Sequence, residues 1–219
     1  MLKKVLVASA LLATIINANA SSSAFGVTGT ITPEACNVTL TGGTVNLGSI
    51  NASVVKGYGL AQTSYAMPSV AVPISIVCSA PTKVEVSFVD NKVGKVFAID
   101  TNDPIRYGMV DGAGTAAIGS IAINFNNTVI DTVAVGQFLN APNNTTTWTA
   151  TGPSNLSAIF ASPGYTIGFA KLASATTPDS FTTLAGNLIM SPYISAAYVK
   201  GATAAITPTS SGTLTLVYL

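Results

Sequence analysis

Histidine is absent from the 219-residue chain, charged residues make up 8% of it, and it carries two cysteines and one tryptophan. The lack of histidine removes serine and cysteine triads of the usual kind, and with them most transition-metal sites. Lys+Arg number 9 and Asp+Glu 8. Setting aside Lys3 and Lys4, which belong to the leader described below, the balance turns slightly acidic, so no basic footprint for nucleic acid or anionic lipid exists. The acidic residues are scattered singly, and no glycosidase-like pair can be nominated from their spacing. There is no G-x-S-x-G and no P-loop. Gly112-Ala113-Gly114-Thr115-Ala116-Ala117 nominally fits G-x-G-x-x-A, but it follows no clear strand and opens into a strand, not a helix, so it reads as a glycine turn. Asp100, Asn102 and Asp103 precede a proline and read as an Asx turn in preference to calcium ligands. No cofactor, no metal and no catalytic residue is expected, and the chain is read as a non-enzyme.

What the sequence has in quantity is apolar surface. Hydrophobic residues are 48% of the chain, which argues against disorder. So apolar a chain with so few charges suits a protein that lives packed against copies of itself or partners. "MLKKVLVASALLATIINANA", residues 1–20, has a basic start, a short apolar stretch and Ala18-Asn19-Ala20. This is the pattern of a secretory signal with cleavage expected after Ala20. Residues 21–219 then form one domain. In an exported chain, Cys36 and Cys78 are expected to form a disulfide. It is worth about 4 kcal/mol in the chain-entropy model.

Period-2 alternation dominates residues 21–219. "VAVPISIVC" puts Val70, Val72, Ile74, Ile76 and Cys78 on one face, with Pro73 marking an edge or a bulge. "KVEVSFV", "SIAINF" and "YTIGFAK" repeat the pattern with Val84, Val86 and Phe88, with Ile121, Ile123 and Phe125, and with Tyr165, Ile167 and Phe169. "NLIMSPYIS" and "TLTLVYL" close the chain. Turn clusters such as "TGG" (41–43), "DNKVGK" (90–95) and "DGAGT" (111–115) separate them. No window of helical length keeps a 3.6 period and no repeat is visible. The fold class expected is all-β, an antiparallel sandwich.

The segment "VTGTITPEACNVTLTGGTVNLGSI" (27–50), the second cysteine ending an alternating strand, and the penultimate aromatic Tyr218 together resemble the pilin subunits of chaperone–usher fimbriae of Gram-negative bacteria. The tail from "GFAKLASATTPDSFTTLAGNLIMSPYIS" to "SGTLTLVYL" is similar to a subgroup of fimbria-associated exported proteins. The resemblance implies an immunoglobulin-like sandwich lacking its final strand, whose open groove is filled first by a periplasmic chaperone and then by the N-terminal extension of another subunit. It implies that Cys36–Cys78 staples the first strand to the second. It assigns Gly212, Leu214, Leu216 and Tyr218 to the strand bordering the groove, and Ala24, Phe25, Val27, Gly29 and Ile31 to the donor segment within 21–31. The implied partners are a periplasmic chaperone, an outer-membrane usher, other fimbrial subunits and a host glycan or surface receptor. The implied location is the periplasm in transit and then the cell-surface fimbrium. Ile206 stands where the family often has a glycine. The donor is short, as six residues before Val27 span only ~20 Å, which suits a terminator or regulator. The extra length over a minimal pilin is expected in loops between residues 90 and 160.

A monomeric adhesin or lectin-like module is the alternative. Trp148 and Tyr107 would be its aromatic platforms, although core packing is the commoner use of a single tryptophan. An outer-membrane barrel fits poorly, because aromatics are 7% and the last residue is Leu219.

Overall fold

The alternating β-branched and aromatic residues become two antiparallel sheets packed face to face. A computed structural model describes residues 35–43, 46–97, 106–112, 114, 116–151 and 163–219, which all lie within one unit, Glu34–Leu219. The leader, the donor segment (Ala24, Phe25, Val27, Gly29, Ile31) and the Asp100–Asp103 turn fall outside the described residues.

In chain order the elements are β1 (Cys36–Leu40), α1 (Ala52–Gly57), β2 (Leu60–Ala61), β3 (Ser64–Ala66), β4 (Val70–Thr82), β5 (Val84–Asp90), β6 (Tyr107–Val110), β7 (Ala117–Ile130), β8 (Val133–Ala134), β9 (Gln137–Pro142), β10 (Thr149–Ala150), β11 (Tyr165–Ala170), β12 (Phe181–Ser195), α2 (Ala196–Gly201) and β13 (Gly212–Tyr218). The long β12 is central to the first sheet. It pairs with β4 and then β3 along one side and with β7 along the other. β1 lies outside β4, with Cys36 directly opposite Cys78. The second sheet runs β10-β9-β11-β5-β13.

This layout explains the fold class. The order β1-β4-β12-β7 reproduces the A-B-E-D sheet of an immunoglobulin sandwich, with β5 and β13 in the places of C and F. A complete sandwich carries one more strand beyond F. No described strand pairs with β13 on that side.

The core between the sheets comes from the alternating positions: Val72, Ile74 and Ile76 of β4, Val84, Val86 and Phe88 of β5, and Phe125, Phe138, Phe169 and Phe181. Phe125 is its hub, touching Phe88, Phe138 and Phe169 at ring-centroid distances of 5.9, 5.8 and 5.3 Å. Such offset and edge contacts are the favourable aromatic geometries. The disulfide Cys36–Cys78 is formed, with Cα atoms 4.0 Å apart.

A second, smaller apolar cluster gathers Val55, Met67, Met109, Ile118, Ile194, Val199 and Ile206. It is built on two elements the periodicity did not reveal. α1 and α2 are six residues each, too short for a 3.6 period to register, yet both read A-x-x-V-K-G and both bury the valine. Ile50 and Ile206, flanking these helices, exchange both backbone hydrogen bonds at 2.8 Å.

Two further expectations need correcting, and a third is narrowed. The glycine stretch at 112–117 does follow a strand, since it joins β6 to β7 as a hairpin loop. Much of the span from 90 to 160 is strand, not loop, because β6 to β10 lie there. Pro73 is not a bulge, since it stays in register with Asn187 of β12, and it is an edge only locally, since the pairing of β4 with β1 ends at Leu40 and Ile74. It is tolerated because its other side faces the end of β1. Thr41 N–H donates to Pro73 O at 3.0 Å, and the return bond, which proline cannot give, is where β1 stops. No helix among the described residues is long and apolar enough to cross a membrane.

Candidate functional site

The place where the sandwich is least complete is the seam between β1 and β13, the facing outer strands of the two sheets. Hydrogen-bond parity shows what each offers. Asn91 N–H donates to Ser211 O and Leu219 N–H to Lys83 O, so the odd-numbered residues of β13 carry the ladder with β5. Gly212, Leu214, Leu216 and Tyr218 therefore turn their own N–H and C=O groups outward, to the side on which no described strand lies. On β1, Ser79 N–H donates to Ala35 O and Thr41 N–H to Pro73 O. Cys36, Val38 and Leu40 accordingly face their backbone groups away from β4. The side chains at five of these positions point toward the core. Cys36, Val38, Leu40, Leu214 and Leu216 are half-buried and pack against it.

One contact crosses the seam. Cys36 N–H donates to Tyr218 Oη at 2.8 Å, which ties the start of β1 to the end of β13. The Tyr218 side chain is otherwise half in solvent, at 50% exposure. At the opposite end the seam deepens into a cavity of about 530 Å3 whose floor is Phe88, Tyr107, Met109, Ile123, Leu188 and Met190. Its rim is hydroxylic, from Thr209, Ser210 and Ser211, and no charged residue lines it. That volume is in the range of ligand pockets, and the apolar floor with a polar rim is their usual make-up.

Two local devices build the cavity wall. Gly212 lies against the Tyr107 ring, and a Cβ there would stand 2.9 Å from Tyr107 Cε1. Asp90 accepts from Lys92 N–H at 2.8 Å and Gly108 N–H at 2.9 Å, while Ser210 Oγ donates to Gly108 O at 2.6 Å. β6 is thus clamped between the end of β5 and the segment entering β13. Burial, with the nearby Asp90 carboxylate adding to it, pushes the Tyr107 phenol far above its ordinary range, so this wall stays neutral.

The sequence-assigned residues distribute unevenly. Cys36, Cys78, Gly212, Leu214, Leu216 and Tyr218 converge on the seam. Trp148 does not: it is half-buried in the segment between β9 and β10, at the far edge of the second sheet, and lies with Pro178 over Gly168. Tyr107 is 2% exposed and cannot act as an open platform. Ile206, in place of a glycine, is buried in the small cluster. Sequence reading missed Phe88, Met109, Leu188 and Met190 as seam residues. The alternation places Phe88 inward and sets Leu188 and Met190 in a strand, but it does not say that part of the interior is open, and Met109 lies in a stretch that shows no alternation of its own. Among the described residues no group of three or more His, Cys, Asp or Glu could hold a metal ion.

A family model described as a protein of unknown function (DUF1120) matches residues 25–128. The match takes in β1, the disulfide, β4 and β5, and ends within β7, before β12 and β13. No curated protein and no solved structure matches the chain.

Proposed function

We propose that this chain is a structural, non-enzymatic subunit of a chaperone–usher fimbria, exported to the periplasm and completed by a strand from another polypeptide. The observation that carries the reading is the seam. Two facing strands leave the backbone groups of their inward-pointing residues without a described strand partner, beside half-buried aliphatic side chains. An edge of this kind recruits a strand, and strand addition supplies main-chain hydrogen bonds along the edge and pockets for alternate side chains. Burying the seam also removes apolar area from water at ~25 cal/mol per Å2. In this reading a periplasmic chaperone fills the seam first. The outer-membrane usher then presents the subunit to its neighbours, and the finished fimbrium contributes to adhesion to a host glycan or surface receptor.

The test is periplasmic expression with and without the chaperone of such a system. The expected outcome is degradation or aggregation alone and a stable 1:1 complex with the chaperone, lost on removal of residues 212–219. A stable, soluble monomer that ignores the chaperone would overturn the reading.

A further inference from the structure

The cavity at the Gly212 end of the seam is a poor fit for a strand alone. Gly212 and Leu214 are the residues of β13 with outward backbone groups that border it, so a strand laid along β13 brings it about two side chains. An apolar cavity of about 150 Å3 takes up one benzene ring. Two rings leave a large part of the 530 Å3 unfilled. The floor of Tyr107, Met109, Leu188 and Met190 offers water few partners. Scaled from the same ring, the space suits an apolar molecule of roughly twenty non-hydrogen atoms.

The rim narrows the chemistry. Ser210 Oγ donates to Gly108 O at 2.6 Å, and Thr209 Oγ1 to Val110 O at 3.4 Å. Both hydroxyl protons are committed to backbone carbonyls, so these oxygens have lone pairs to offer and no proton. A molecule that meets them brings a donor. Among the described residues no Asp, Glu, Lys or Arg lines the cavity, and Tyr107 is 2% exposed. A charged group would lose its hydration there and find no counter-ion.

We propose that this cavity is a binding site for an uncharged, largely hydrocarbon small molecule with a single O–H or N–H donor, which meets Ser210 and Thr209. The site stands without the strand-capture reading. One consequence does rest on that reading: because Gly212 and Leu214 border both, a molecule in the cavity obstructs a strand at this end of the seam.

The test is fluorescence titration of the refolded chain with N-phenyl-naphthylamine, a neutral probe with one N–H that brightens in apolar surroundings. Its counterpart anilinonaphthalene sulfonate has the same skeleton and one negative charge. Saturable binding of one probe per chain is expected, at least tenfold tighter than the sulfonate. If the chain aggregates alone, the probe is added during refolding and is expected to hold it in solution better than the sulfonate does. Naphthol should displace the probe at a severalfold lower concentration than methylnaphthalene, which matches it in size and has no donor. Met190→Trp, which fills the floor, should weaken probe binding at least tenfold with the circular dichroism spectrum retained. Val77→Trp, at a position 55% exposed, should leave it unchanged. The ligand pairs on the unaltered chain decide the matter if Met190→Trp fails to fold. Equal binding of probe and sulfonate, or no saturable binding, would overturn the site. Equal displacement by naphthol and methylnaphthalene would overturn the donor assignment. Saturating naphthol should also slow formation of the chaperone complex. Probe binding in a chain that forms no such complex would remove strand capture and leave the site standing.

Discussion

Asp131 does more for this fold than its place in a surface turn suggests. It and Thr132 join β7 to β8 with positive φ at both positions, 47° and 70°, the backbone of a two-residue primed hairpin turn. Neither is glycine, and a β-branched residue is poorly suited to that region. Burial alone would raise the Asp131 carboxyl, but Thr182 Oγ1–H and N–H, Lys171 Nζ and Thr183 N–H all donate to it and hold it well below the ordinary carboxylate range. A carboxyl lowered in the folded state stabilises the fold above its unfolded value, about 3.9, and that contribution disappears as pH falls through the folded one. Asp131→Asn should cost about 2 kcal/mol near neutrality. The Tm gap to wild type should narrow as scans move from pH 6 to pH 3, and a constant gap would contradict the assignment. Thr132→Gly, which relieves the left-handed strain, should stabilise by up to about 1 kcal/mol. At the seam, Tyr218→Phe removes the Oη that caps Cys36 N–H. It should lower Tm slightly, by the equivalent of about 1 kcal/mol or less, and should strengthen strand capture if this hydrogen bond must open first. Weaker capture would make the hydroxyl a contact for the incoming strand instead.

β1 and β13 are strands with one described neighbour each, and each needs something besides its ladder. For β1, five residues long, that is the disulfide to the strand directly opposite. Replacing both cysteines by serine should cost about 4 kcal/mol in the chain-entropy model, read as a lowered denaturant midpoint, and should free β1 before the rest of the first sheet in hydrogen exchange. For β13 the support is the alternation itself. Leu216→Asp should remove strand capture because its side chain faces the core, whereas Thr215→Asp, one residue away on the exposed face, should change it little. Equal effects would mean that the strand does not sit in this register. β4, β5, β7, β11, β12 and β13 were legible in the sequence because Val, Ile and Phe at alternate positions have one stable use, a half-buried sheet; β6 and β9, which lack that alternation, were not. α1 and α2 were not, because two turns of helix carry one buried valine each and no period can be read from that. Pro73 left an edge and a bulge both open because proline reports which backbone group is missing, not which neighbour it would have met; the strand end of β1 decides for a local edge.

For the whole molecule, the sequence made the sandwich and its disulfide readable and left the cavity unreadable. Inward positions such as Phe88, Tyr107 and Leu188 look the same in a sealed core and beside an open one; what separates them is the crossing of residues 206–211 and the clamp of Asp90, Gly108 and Ser210, contacts between segments far apart in the chain. Those contacts also make the molecule testable as a unit. A ligand that binds the folded chain and not the unfolded one raises stability by RT ln(1 + [L]/Kd), about 2.7 kcal/mol at a hundredfold excess over Kd. Denaturant unfolding with a synthetic peptide that copies residues 23–33, around the donor segment the resemblance implies, at that excess should therefore move the midpoint up by the corresponding amount. Because the seam closes β1 onto β13, protection from hydrogen exchange should rise in both strands together and not in β9 or β10 at the far edge of the second sheet. A midpoint shift with protection confined to the far edge would place the peptide elsewhere and separate strand capture from the seam.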